Sequence, residues 1–299
     1  MARLQVLLAA VCFGTTGTAQ ALGPDASAVT VGAVRIAVGA LLLLAAQRVV
    51  ARADAGRWPR VPLIAAALGV AAYQLCFFAA VKDTGVAVGT VVALGSAPAL
   101  AGLGGWLLDR RSPGAAWAAA TALAGGGVAL LALAGGGADV SAPGVALAVG
   151  AGASYATFTI ASKRLLDAGH GVEPVMARAF GLGALLLVPV LLLGDLSWVA
   201  TPGGAAMALW LGAIPTAVAY LLFARGLRHL PANEVATLTL GEPVTAAVLG
   251  ALVLSARPGA VAVAGIGLIL AGLAVLAVPR RGEPLAAPAT PPATVELGA

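Results

Sequence analysis

A glutamate, Glu242, stands well inside a largely apolar run of the chain, residues 231–254. At 1.5 Å of helical rise per residue it lies roughly 17 Å into that run, close to its middle. An acid at that depth in a bilayer costs a few kcal/mol or more unless it is paired, protonated or facing water. Glu242 is therefore a candidate proton carrier and substrate ligand. The alternative is a neutral side chain hydrogen-bonded to a neighbouring helix. Two arginines, Arg35 and Arg178, also fall inside apolar runs. Each can snorkel along its stem toward a surface, pair with Glu242, or bind a substrate carboxylate. Pro98 and Pro243 sit mid-run and remove the donors that would reach the carbonyls of Leu94 and Thr239. Such kinks serve as pivots for gating or as static packing bends. Tyr73, Gln74, Tyr155, Thr15 and Tyr220 complete the candidate binding residues, since an apolar cavity with a few polar groups suits a small amphipathic ligand. Each of them also has a plain packing reading.

The elements that must position these groups follow from composition. Of 299 residues, 61% are hydrophobic, 40 are glycine and only 10% are charged, against about 25% charged in a soluble domain. A water-soluble enzyme and a disordered chain are both excluded. Cys12 and Cys76 lie in apolar stretches with no partner at metal or disulfide spacing and read as fillers. His170 and His229 fall in loops and read as solvated. No Gly-rich phosphate loop, zinc motif or nucleophile elbow is present, so neither a cofactor nor a metal is expected.

Ten apolar segments emerge, near 4–22, 27–47, 62–81, 85–108, 113–134, 143–164, 172–193, 203–224, 231–254 and 257–278, separated by short polar turns. The runs do not alternate with period two, which excludes a porin-like barrel. With a cytoplasmic N-terminus, the inner side carries Arg3, Arg48, Arg52, Arg57, Arg60, Arg110, Arg111, Lys163, Arg164, Arg225, Arg228, Arg280 and Arg281, while the outer side carries Lys82 and Arg257. That asymmetry fixes both termini inside. It also accounts for the net charge of +5 as a topology signal, without nucleic acid as a partner. The first segment, with Ala19-Gln20-Ala21 near its end, has some features of a cleaved signal. It is expected to remain, because it has a counterpart later in the chain.

A shift of 145 residues overlays the second half on the first. Phe78-Ala79 meets Phe223-Ala224, Ala87 meets Ala232, Pro98 meets Pro243, and Pro113-Gly114 meets Pro258-Gly259. Arg35 meets Arg178 at a shift of 143. Each unit holds five segments, and an odd number inverts the second copy, a common architecture of secondary transporters with a site near the midplane. The expected organisation is a first repeat at 1–134, a linker at 135–142, a second repeat at 143–280 and a disordered tail at 281–299. The fold class is an all-α membrane protein with ten transmembrane helices in two inverted five-helix repeats.

The chain resembles the drug/metabolite transporter superfamily in its EamA-type ten-helix branch. The resemblance rests on Ala33-Val34-Arg35 and Met176-Ala177-Arg178, on Leu94-Gly95-Ser96-Ala97-Pro98 and Leu240-Gly241-Glu242-Pro243-Val244, on Phe13-Gly14 and on Tyr220. The Leu-Gly-Glu motif common at the ends of the fourth and ninth helices is absent, its places reading Leu108-Asp109-Arg110 and Leu254-Ser255-Ala256. The resemblance implies alternating access and export of small metabolites such as amino acids or amines from a bacterial cell, as a monomer or homodimer, with protons as a possible coupling ion. A non-transporting membrane scaffold or receptor is the alternative. An intramembrane enzyme would need paired catalytic groups at depth, and no such pair is written here.

Overall fold

The computed structural model describes residues 1–50, 56–110, 113–134, 141–255 and 259–277, and among them it is all helix, without a strand. The expected linker falls for the most part, and the expected tail wholly, outside the described residues. The elements are α1 (Ala2–Leu22) and α2 (Ala28–Val49), then one helical run, Arg60–Asp109, that Gly85 divides. Its arms are α3 (Arg60–Gly85) and α4 (Val88–Leu108). After these come α5 (Ala115–Ala134), α6 (Ala142–Asp167), α7 (Val172–Leu186) and α8 (Val188–Leu193). The chain closes with α9 (Pro202–Leu227), α10 (Ala232–Val253) and α11 (Ala260–Ala277). Seven of these are long and apolar enough to cross a membrane: α1, α2, α3, α4, α6, α9 and α10. Two shorter apolar helices lie at Ala115–Leu131 and Ala260–Leu276. Leucines such as Leu41, Leu192 and Leu252 are exposed, as surface facing hydrocarbon allows.

Local chemistry explains the boundaries. Ser141 accepts a hydrogen bond from the Gly144 amide at 3.0 Å and opens α6 with Pro143 in its first turn. Thr201 does the same for α9 through Gly204, with Pro202 behind it. Both satisfy orphan N-terminal donors. The expected 172–193 segment is broken at Leu187, because Pro189 cannot donate and starts a new short helix. Inside α9, Pro215 sits in a π-helical stretch, Ala213–Val218. It leaves the Leu211 carbonyl without its usual donor, and Thr216 Oγ1 supplies one at 2.8 Å. Gly85 divides the run between α3 and α4. Its backbone (φ +77, ψ 160) breaks the long run in a region closed to residues with a Cβ.

The core gathers Leu43, Leu165, Met176, Phe180, Phe223 and Leu227, all buried. The α3–α4 hairpin packs along α6, α5 packs along α11, and α1 lies against both α9 and α10. Around Ala124, Val128 and Ile269 the α5–α11 pair forms its own apolar cluster. Polar ties between helices concentrate at the end where α1 begins. Arg3 Nε lies 2.7 Å from Glu234, Arg225 lies 3.1 Å from Glu173, and Lys163 donates to the Arg228 carbonyl at 3.2 Å. At the opposite end, exposed Asp195 accepts from the Ser197 amide at 2.8 Å. That bond favours the ionised carboxyl and holds it below the usual carboxylate range.

Candidate functional site

A cavity opens where the broken helix α10 meets α1, α2, α4 and α6. Its wall takes Phe13 and Thr16 from α1, Arg35 from α2, Tyr73 from α3, Leu94 and Ala97 from α4, Tyr155 from α6 and Tyr220 from α9. The α10 side supplies Ala236, Thr239, Leu240 and Glu242. The space is narrow, about 40 Å³, which is room for a few waters. A tighter apolar recess adjoins it, lined by Ile36, Val70, Phe158 and Phe180, with Arg35, Tyr73, Tyr155 and Tyr220 shared between the two. Tyr220 is wedged among rings, 4.4 Å from Phe180 and 5.0 Å from Phe13 between centroids.

Pro243 and the residues before it set the depth of Glu242. The helix Ala232–Leu238 tightens to a 3₁₀ turn at Thr239–Gly241 and restarts at Glu242, with Pro243 in the first turn of the new arm. Thr239 Oγ1 donates to the Ala236 carbonyl at 2.9 Å, so the Tyr155 hydroxyl is the donor in its 3.1 Å bond to Thr239 Oγ1. Gly14 lets α1 close on this break. A Cβ there would lie 2.5 Å from Thr245 Cβ and 2.8 Å from the Glu242 carbonyl oxygen. Pro98, by contrast, sits within a continuous helix.

Arg35 faces both spaces and is held from one side. Its NH2 donates to Gln74 Oε1 at 3.2 Å, and Gln74 Nε2 donates to the Gly32 carbonyl at 3.3 Å. The two bonds fix which end of the buried amide carries the oxygen. Arg35 Nε is buried without a partner. Among the described residues Glu242 enters no ion pair, so Arg35 and Glu242 share a cavity without bonding each other.

Of the residues that the sequence proposed, Glu242, Tyr73, Tyr155 and Tyr220 come together on this wall, with Gln74 in the recess behind Arg35. Thr15 is not among the lining residues. It donates to the Cys12 carbonyl at 2.8 Å and faces Trp210 Nε1 at 3.3 Å, and its neighbour Thr16 takes the lining position. Arg178 does not line the cavity either. Its guanidinium lies 3.7 Å over the Trp58 ring, which also stacks with His170 at 3.9 Å. His170 is thus buried at 1% exposure, which corrects its reading as solvated. Thr16, Thr239 and the ring of Phe13 had no signal in residue type alone. Only helical phase separates Thr16 from Thr15.

A wider vestibule of about 570 Å³ lies at the end where α1 begins, bordered by Trp106, Trp117, Lys163, Asp167, Asn233 and Glu234. It reaches Ala101 and Ala232, each one turn from the cavity residues Ala97 and Ala236. Between the two spaces, Ala101, Ala156 and Ala236 form a buried collar.

The EamA-like transporter family model matches residues 1–133 and again 142–278. An uncharacterized transporter of Bacillus subtilis (strain 168), YwfM, is 40% identical over 280 residues, covering 93% of this chain and 94% of that protein. The threonine/homoserine exporter RhtA of Escherichia coli (strain K12) is 30% identical over 263 residues, 86% of this chain and 84% of RhtA. A solved crystal structure superposes with a TM-score of 0.80 at 21% identity, covering 92% of this chain and 96% of the other, a likeness of fold. The apolar helices and these relatives identify a multi-pass membrane transporter of small molecules rather than an enzyme. The chain belongs to the EamA-like transporter family.

Proposed function

We propose that this transporter is a plasma-membrane exporter of small metabolites, amino acids foremost, working by alternating access. The observation that carries the reading is the cavity in which Arg35, Glu242 and three tyrosines meet at the break of α10. RhtA, named for threonine and homoserine export, supports amino acids as the cargo. In this reading ten helices span the bilayer, α7 and α8 together making one crossing. The units 1–134 and 143–280 are inverted repeats, a reading supported by the separate family match to each half. The basic end, with both termini, faces the cytoplasm. Cargo enters by the vestibule, passes when the collar at Ala101, Ala156 and Ala236 parts, and binds beside Glu242, Tyr73, Gln74, Tyr155 and Tyr220. Helices α4 and α10 pivot about Pro98 and Pro243. Glu242 exchanges a proton for cargo.

The test is efflux from liposomes reconstituted with the full chain, preloaded with a panel of labelled L-amino acids including threonine and homoserine. Saturable efflux above protein-free liposomes supports the reading. A panel in which none moves, with protein verified as inserted and folded, overturns it.

A further inference from the structure

Resting on that reading, we infer that Arg35 and Glu242 are the two poles of a site for a zwitterion, and that Gln74 positions the cationic pole. A guanidinium and a carboxylate in a water-poor interior are each costly unless compensated. Here they line one cavity and do not pair. Gln74 occupies NH2 of Arg35 and leaves Nε buried without a partner. A ligand carboxylate can take that donor in a charge-assisted bond. Its ammonium then meets Glu242, within reach of the Tyr73, Tyr155 and Tyr220 hydroxyls and ring faces.

The rest of the lining limits the ligand further. Among the described residues, Arg35 and Glu242 are the only charged ones that line either space. The recess beyond Arg35 is walled by Ile36, Val70, Phe158 and Phe180. The structure therefore assigns the site to a free α-amino acid with a small uncharged side chain. An amine or a dianion would leave one pole uncompensated or add a charge with no counterpart, and a sugar would leave both poles uncompensated. Gln74 acts through Arg35. Its carbonyl accepts from the guanidinium and its amide is anchored on Gly32, which turns Arg35 toward the cavity.

The experiment is counterflow in liposomes holding the full chain. L-threonine, L-homoserine, L-leucine and L-lysine are each compared with their methyl esters, which lack the carboxylate, and with their N-acetyl forms, which lack the ammonium. Free threonine and homoserine are expected to exchange at least about tenfold better than either derivative, since a lost charged hydrogen bond is worth that much. Gln74→Glu is isosteric and offers Arg35 an internal carboxylate. It is expected to raise KM for the amino acid about tenfold while Vmax holds, with a small loss of melting temperature because the donor to the Gly32 carbonyl is gone. Arg35→Lys, lacking the planar fork, should not restore carboxylate recognition. Exchange of esters or plain amines as fast as amino acids overturns the two-pole site while leaving the transporter reading intact. A Gln74→Glu chain with unchanged KM overturns the positioning role. No exchange of any compound would count against the exporter reading itself.

Discussion

The Tyr155 hydroxyl, on α6, donates to Thr239 Oγ1, on α10, at 3.1 Å. Thr239 is also the residue whose backbone carbonyl loses its donor to Pro243. One side chain therefore fastens an uninterrupted helix to the point where its neighbour breaks. Tyr155→Phe keeps the ring contacts with Tyr73 and Phe223 and removes only this bond. The expected cost is about 1 kcal/mol of stability, read as a small drop in melting temperature in detergent. A larger change is expected in the transport rate, because the fastening acts on the pivot. A variant whose rate matches the parent would separate Tyr155 from the pivot.

Glu242 faces the cavity from the first turn of the restarted helix. If it carries the coupling proton, Glu242→Gln should keep the fold and remove the dependence of efflux on an imposed pH gradient. Uncoupled exchange of cargo down its own gradient should survive, with KM raised about tenfold because the cargo ammonium loses its charged partner. Efflux from liposomes with equal and unequal internal pH distinguishes the two. A Gln variant that still responds to the gradient would assign the proton elsewhere.

Much of this arrangement is legible in the sequence, and what is not has physical reasons. Composition and the turn residues expose the helical runs, since a bilayer demands long apolar stretches. The mid-run acid Glu242 and the mid-run Arg35 stand out because charge is expensive there. Facing is harder to read. In a helix that is apolar all round, the amphipathic stripe that tells inside from outside in soluble proteins is missing. Thr15 and Thr16 are thus indistinguishable until the packing is known. Arg35 and Arg178 look equivalent by repeat position. Trp58 and His170 give Arg178 a stacked partner at one end of the molecule, whereas Gln74 turns Arg35 toward the centre. Trp58 and Gln74 are distant in sequence from the arginines they meet, and no local pattern announces them.

Gly85 and Gly95 should respond in opposite ways to alanine. Gly85 adopts φ +77 and ψ 160 at the break between α3 and α4, a region that costs a residue with a Cβ of order 1–3 kcal/mol. Gly95 lies inside α4 with open space where a Cβ would go. Replacing such a helical glycine gains roughly 0.5–1 kcal/mol from reduced backbone freedom. Gly85→Ala is therefore expected to lower the melting temperature and Gly95→Ala to hold or raise it. Equal losses at both positions would show that Gly85 is not the strained point of the hairpin.

The ion pair between Arg3 and Glu234 tests how the vestibule communicates with the cavity. It ties the start of α1 to the first turn of α10, and Trp117 Nε1 donates to the Asn233 carbonyl beside it at 3.1 Å. Both bonds hold the arm that carries Ala236 against Ala101 and Ala156. A partly exposed pair of this kind is worth about 0.2–1 kcal/mol, so losing it should raise the population with an open collar by up to about fivefold. The readout is labelling of Ala236→Cys by a membrane-impermeant maleimide, in a chain whose Cys12 and Cys76 have been replaced by alanine. Arg3→Gln and Glu234→Gln should each accelerate labelling from the vestibule side, and the double variant should add little, since both remove the same bond. Labelling that stays slow in all three would mean that the collar is held by packing at the alanines alone, and that the ionic tie anchors α1 without controlling access.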